Sequence, residues 1–494
     1  MKPHLIVKAR APLQFTNGPI PHWRPFISDK SILIDGFHPE FDRALAQHGI
    51  RFWVTTEYAP AGPVWSKEEI AADLNRIYRI ILQQNYRIPP GLLDHLRLVP
   101  DFEFLREIGV GASPAPVPVR SMSASLPWDN SRELIGLRQA RLFSDGHPDV
   151  KIAILDTGLN LDHPEIKHRV AAKADFVDLA GLDTADFVGD VLNCDEIPED
   201  EVGHGTHVGG IIAGEGLRIP PGIVPRCRLI AVRVLASMRS GDRLVGAGVL
   251  DNINVGIKWA VDNGADVINM SLGIKHSGGG LPHEEVIRYA LARGVTVVAA
   301  SGNDGTEEKY YPGALPGVIA VGAIDERGQV ADFSSFGAPV MLVAPGSNVL
   351  SSYAAGGYAL ASGTSQASPF VAGAVALLKS QALSIGIRLP DATIKDILKH
   401  TSDKPGQQFR TPRAGYGRLN LVDACRMLRH LLRDEWSSAA RPHRSFATGS
   451  ANHFMRQPAA VSTRLPTGES EQQSPPAGAL GVRQSGRTLA STGH

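Results

Sequence analysis

Val150-Lys151-Ile152-Ala153-Ile154-Leu155-Asp156-Thr157-Gly158 opens with a short, nearly continuous apolar run and closes on a carboxylate and a turn. Such a run is expected of a strand buried on both faces, as in a parallel sheet covered by helices. Similar runs recur at 228–235, 266–272, 295–300 and 318–323. Between them lie helical patterns at 249–261, closed by Asn263-Gly264, and at 284–292, closed by Arg293-Gly294. Strand alternating with helix, with glycine after each helix, predicts an α/β fold: a doubly wound, mostly parallel sheet with helices on both faces. Ligands bind beyond the carboxyl ends of the strands in such sheets. The chemistry is therefore to be sought where Asp156 lies.

Outward from this region the chain divides. Residues 1–112 read as a small α/β N-terminal domain. Phe37 to Gln47 has a helical rhythm, and 50–55 reads as a strand. Ser66 with Glu69 makes a capping box, and Ile70, Leu74, Ile77 and Ile81 then fall on one helical face. Ser113-Pro114-Ala115-Pro116-Val117-Pro118 opens a proline-rich linker over 113–125, extended, exposed and open to proteolysis. The doubly wound domain occupies 126–435, with further helical patterns near 393–400 and 422–433. From 436 to 494 Ser, Arg, Pro, Gln, Gly and Ala dominate without apolar period, as in a disordered tail.

The chain has 494 residues, with 50 Lys and Arg against 50 Asp and Glu. This balance disfavours nucleic acid and an anionic membrane as partners. Cys194, Cys227 and Cys425 are few, odd in number and widely spaced, which argues against a disulfide framework and a zinc site. The first residues carry Lys2, Lys8 and Arg10 but no sustained apolar stretch, and no run is long enough to span a bilayer. A cytoplasmic or non-classically exported protein is expected.

Four polar groups mark element ends. Asp156 closes the first buried strand. His204 lies in Gly203-His204-Gly205-Thr206-His207-Val208, the opening of a small-residue helix. Asn303 follows another buried strand in Ala300-Ser301-Gly302-Asn303, and Ser365 sits in Gly363-Thr364-Ser365-Gln366-Ala367-Ser368-Pro369 ahead of an apolar helix. Pro369 suits only the first turn of that helix, so Ser365 falls at its N-terminus, where N–H groups stabilise an anion. Singly, these residues read equally well as a turn carboxylate, a left-handed asparagine and an N-cap serine. His204 and His207 would adjoin on a helix face, but no glutamate lies between them and no further ligands cluster, so no metal is assigned. Together, carboxylate, imidazole, amide and hydroxyl are the groups that acyl transfer requires: nucleophile, base, base-orienting acceptor and oxyanion donor.

These motifs, with Ile268-Asn269-Met270-Ser271-Leu272-Gly273 and the order Asp, His, Ser, resemble the subtilisin-like serine proteases, or subtilases, over about 126–424. The resemblance implies a triad of Asp156, His204 and Ser365, Asn303 as oxyanion amide and His207 as a structural residue. It implies that Ser271, Leu272 and Gly273 pair with the substrate backbone. Ala300, Ser301 and Gly302 would wall the pocket for P1, the residue whose carbonyl is attacked, and Tyr310 would reach its base and shorten it. Polypeptides are then the substrates. By position and size, residues 1–112 match the propeptide that in secreted relatives assists folding, blocks the site and is removed by the enzyme, which makes this region an intramolecular inhibitor. Two departures stand out. Gln366 replaces the usual methionine, making the site less oxidisable. Arg218-Ile219-Pro220-Pro221-Gly222 replaces the asparagine-rich calcium loop, so no cofactor is required and a structural calcium lacks a recognisable loop. The acid-rich stretch from Asp175 to Glu201 reads as a solvated loop rather than a calcium or docking site. The expected function is a serine endopeptidase. The alternative is a catalytically silent homologue that binds peptides. An α/β-hydrolase esterase fails on chain order and on the absent Gly-x-Ser-x-Gly elbow.

Overall fold

A computed structural model describes residues 3–439, apart from 16–18, 109, 115–116, 119–128, 180–183, 193, 242, 277, 279 and 405. The later part of the expected linker and the tail from 440 onward lie outside the described residues.

The apolar runs form a seven-stranded sheet in the order Val340–Pro345, Ile319–Ile324, Thr296–Ala300, Val267–Met270, Lys151–Asp156, Arg228–Arg233, Val170–Asp175. All its pairings are parallel. Alternation along the central strand divides the core. Ile152 and Ile154 pack with the His204–Ala213 and Thr364–Leu383 helices, while Ala153 and Leu155 pack with Leu250–Asp262 and Glu284–Ala292. Helices therefore cover both faces, which makes this the doubly wound α/β fold. The chain leaves the central strand towards one edge and resumes at Val267–Met270 on the other side. That reversal opens the crevice beyond Asp156. Among the described residues no helix is long and apolar enough to cross a membrane.

The N-terminal region carries its own antiparallel sheet, ordered Phe52–Thr56, Ile77–Leu82, His4–Ala9, Phe102–Arg106. One face is closed by the Pro39–Gln47 and Pro90–Arg97 helices around Phe41, Leu45, Leu93 and Leu96. The other face, through Ile6, Ile77 and Ile81, shares a core with the Leu250–Asp262 and Glu284–Ala292 helices. Buried charges cross this junction. Asp251 accepts from His4 (2.9 Å) and Arg106 (2.5 Å), Lys8 meets Glu285 (3.0 Å), and Lys258 meets Glu69 (2.8 Å).

Three expectations change. The capping box at Ser66 and Glu69 forms, but its helix spans only Lys67–Ala71. Asp73 is left-handed at φ 66°, and the β-branched Ile77–Leu82 run becomes an inner strand between two partners. The described parts of the stretch expected to be a free linker are paired. Val110–Pro114 pairs antiparallel with Arg243–Val249, and Val117–Pro118 pairs with Tyr358–Ala361. The last helix runs on to Ala439, past the expected boundary at 436.

Buried histidines tie this fold to pH. Burial foremost, with His204 nearby, lowers His207 to about 3, and burial, with Arg106 nearby, lowers His283 to about 3. Both ionise near 6.5 when unfolded. Their contribution is therefore whole above that pH and drains away as pH falls towards 3, at up to about 1.4 kcal/mol per pH unit each. His204, raised above its ordinary value, works the other way and offsets part of the loss. The buried carboxyls Glu57 and Asp175, pushed up by burial, also work the other way. The histidine contribution is therefore read by difference: the change in urea midpoint from pH 7 to pH 5 should be less unfavourable in His283→Gln than in wild type. An equal change in both would contradict this account.

Candidate active site

The four predicted groups gather at the carboxyl edge of the sheet. Asp156 is the last residue of the central strand, His204 the first of the His204–Ala213 helix, and Ser365 the second of the Thr364–Leu383 helix. Asn303 follows the Thr296–Ala300 strand in the next turn. The two helices pack against each other, and their first residues bond to the ends of adjacent strands, His204 to Asp156 and Ser365 to Ser271.

Asp156 and His204 are fully buried, and His204 Nδ1 donates to Asp156 Oδ1 at 2.6 Å. The same oxygen accepts the Thr157 N–H at 2.8 Å. Burial opposes the imidazolium, yet the charge and hydrogen bond of Asp156, with Asp200 beyond, raise the His204 pKa above its ordinary value. Gly205 makes the approach feasible, because a Cβ there would lie 2.1 Å from the Gly158 carbonyl oxygen.

Sequence reasoning passed over Asp200, one acid among many. Its buried carboxylate accepts from Thr157 Oγ1 (2.7 Å), the Gly203 N–H (2.7 Å), the Thr206 N–H (2.8 Å) and Thr206 Oγ1 (2.6 Å). It thereby caps the histidine helix and ties it to the residue after Asp156. Asp175 is buried too, paired with Arg233 at 2.6 Å, so the acid-rich stretch is not simply a solvated loop. His207 sits inside the same helix with Nε2 on the carbonyls of Val349 (3.0 Å) and Ala359 (3.1 Å), a structural setting.

The serine helix starts at Thr364, which puts Pro369 beyond the first turn, later than expected. Proline lacks the N–H that would bond the Ser365 carbonyl four residues back. The Ser271 hydroxyl donates to that carbonyl instead, at 2.7 Å. In return Ser365 Oγ donates to the Ser271 carbonyl at 3.0 Å. Asn303 Oδ1 accepts from the N–H (2.8 Å) and hydroxyl (2.9 Å) of Thr364, which orients the amide and leaves Nδ2 to donate.

A cleft of about 270 Å³ reaches Ser365, lined by Leu272, Gly273, Ala300, Gly302, Asn303 and Tyr310 among others. Of the predicted substrate residues, Ser271 and Ser301 stay out of this lining. The Ser301 hydroxyl turns to the Ser335 carbonyl at 3.0 Å.

The loop around Arg218 is held by a buried carboxylate. Buried Glu165 accepts from the N–H groups of Gly216 (2.8 Å), Leu217 (3.1 Å), Arg218 (2.8 Å) and Ile219 (3.4 Å). The four amides converge on one carboxylate, which fixes the loop after the histidine helix.

The model of the subtilase family matches residues 147–417. An alkaline protease of Alkalihalobacillus alcalophilus is 34% identical over 362 residues, 73% of this chain and 83% of its own. Subtilisin BL of Lederbergia lenta is 37% identical over 304 residues, 61% of this chain and 99% of its own. The solved structure of the prenylagaramide maturation protease PagA is 31% identical, covers 59% of this chain and 98% of its own, and superposes with a TM-score of 0.48. The chain belongs to the subtilase family of serine endopeptidases.

Removing the Asp200 cap tests its part in the site. Asp200→Ala leaves buried donors on Thr157, Gly203 and Thr206 unmatched, at about 1–3 kcal/mol each. A loss of at least about 3 kcal/mol is expected on this basis, with Asp200→Asn losing less because one acceptor oxygen remains. Equilibrium urea unfolding measures both, and an Asp200→Ala midpoint equal to wild type would refute the role.

Proposed function

We propose that the protein hydrolyses peptide bonds through an acyl-enzyme on Ser365. The reading is carried by one observation, the buried 2.6 Å bond from His204 Nδ1 to Asp156 Oδ1. A proton held on Nδ1 leaves Nε2 as the basic nitrogen, and the carboxylate steadies the imidazolium that forms. Ser365 Oγ, now resting on the Ser271 carbonyl, turns about χ1 to hand its proton to Nε2 while its oxygen bonds the substrate carbonyl carbon. The Ser365 N–H and the Asn303 amide receive the oxyanion. His204 then protonates the leaving nitrogen as the C–N bond breaks, and water repeats the sequence to release the acid. A silent homologue would lack one of these groups, and all four are in the sequence.

The same reading assigns residues 1–112 to an inhibitory N-terminal domain, 113–125 to a linker, 126–435 to the catalytic domain and 436–494 to a tail. Its support is a backbone pairing. Val110–Pro114 lies antiparallel on Arg243–Val249, with Gly111 opposite Gly248 and Ser113 opposite Gly246. Val117–Pro118 lies on Tyr358–Ala361, the strand leading to Ser365. Extended peptides are recognised by such strand addition. The chain thus occupies edges that a substrate would use, and Ser271-Leu272-Gly273 would offer the opposing backbone.

A fluorophosphonate should label wild type at Ser365 and leave Ser365→Ala unlabelled. Intact mass should show wild type alone losing about the first 110 to 125 residues, within the proline-rich stretch. Wild type that has lost its N-terminal region and still takes up no label would overturn the acyl-enzyme on Ser365, and equal trimming of the Ser365→Ala variant would exclude self-processing. Because the His204 pKa is raised, the acid limb of kcat/KM should fall above pH 6.5, where the base begins to protonate. An unchanged rate down to pH 5 would rule out His204 as the base.

A further inference from the structure

Beside Ser365 the cleft is closed off by an aromatic ring. Tyr310 lies on the α-carbon of Gly302, where an added Cβ would stand 2.3 Å from ring atom Cδ2. On its other side the ring meets Gly273, at 3.2 Å from an added Cβ there. Two residues without side chains thus make room for one large side chain, which spans the pocket between its walls.

The ring is also fastened. Tyr310–Tyr311 pairs antiparallel with Ile274–Lys275, so the tyrosine backbone belongs to a small ladder directly after the Gly273 wall. The Tyr310 hydroxyl donates to Asp304, the residue next to Asn303. Lys275 Nζ meets Asp304 at 3.0 Å, also contacts Glu308, and stands 5.4 Å from the centre of the Tyr310 ring. To vacate the pocket the ring would have to leave its hydroxyl acceptor, the overlying cation and two close-packed backbones together. The cleft volume of about 270 Å³ must also hold the attacked carbonyl and its oxyanion.

We propose that Tyr310, latched by Asp304 and Lys275, makes this enzyme selective for small P1 side chains such as Ala, Gly and Ser, and excludes aromatic ones. The proposal rests on Ser365 acting as the nucleophile.

The test compares peptidyl phosphonates that differ only in P1, Ala against Phe, with a fluorophosphonate that has no P1 group. The full chain is expressed and left to complete its trimming, and labelling of Ser365 is then followed by mass spectrometry. Wild type should react at least about tenfold faster with P1 Ala, the scale on which a pocket discriminates by fit. Tyr310→Ala should erase or reverse that ratio, while Tyr310→Phe, which keeps the ring but loses its bond to Asp304, should narrow it without erasing it. The wild-type ratio stands alone if the alanine variant does not fold. If the fluorophosphonate labels Ser365 but the P1 Phe phosphonate reacts as fast as P1 Ala, or if the ratio is unmoved by Tyr310→Ala in a folded chain, the pocket assignment is overturned and the endopeptidase reading stays intact. A chain that takes none of the three reagents overturns both.

Discussion

A carboxylate and an imidazole sharing a 2.6 Å hydrogen bond, both fully buried, are the constraint to which this structure answers. In such surroundings the pair is favourable only when its geometry is right, and either group alone would be costly. The strand end fixes Asp156. Gly205 lets the helix start against Gly158, and Asp200 ties that start to Thr157. One turn further, His207 is pinned between the Val349 and Ala359 carbonyls. Loosening any of these would let the imidazole drift from the one oxygen that orients it.

Ser365 is seated by a comparable exchange. Pro369 removes a helical hydrogen bond, and Ser271, from the neighbouring strand end, fills the gap. Asn269 Nδ2 (3.0 Å) and the Ser368 hydroxyl (2.9 Å) in turn engage the Ser271 hydroxyl. The helix is therefore joined to the sheet at the residue that carries the hydroxyl. A proline that local rules would confine to the first turn is tolerated because a tertiary donor replaces its missing partner.

How much of this could be read from sequence depended on whether the deciding interaction was local. Inner strands such as Lys151–Asp156 announced themselves because burial on both faces leaves an unbroken apolar run. The edge strand Val170–Asp175 is part-exposed over its first four residues and gave no such run. Ile70, Leu74, Ile77 and Ile81 matched a helical period, but pairing on both sides of Ile77–Leu82 overrode it, and distant partners are invisible in a local window. The proposed triad was legible because acyl transfer demands those residue types, while their order along the chain is a mark of the family. Asp200 and Glu165 were not, since their roles depend on donors that the fold delivers from elsewhere in the chain.

The N-terminal sheet docks through oriented charges as well as apolar contact. Lys8 faces Asp73 and Glu103 of its own region and Glu285 across the junction, and Asp251 answers both His4 and Arg106. Such pairs add little net stability but penalise a wrong orientation. This fixed seat governs what the strands at 110–114 and 117–118 can do. While the backbone is whole, their pairing with Arg243–Val249 and Tyr358–Ala361 is a unimolecular event with its own high effective concentration, and dilution cannot undo it. On the proposed reading, a single break in the intervening chain would turn the inhibitory region into a dissociable ligand, and protein concentration would then set how much of the site lies open.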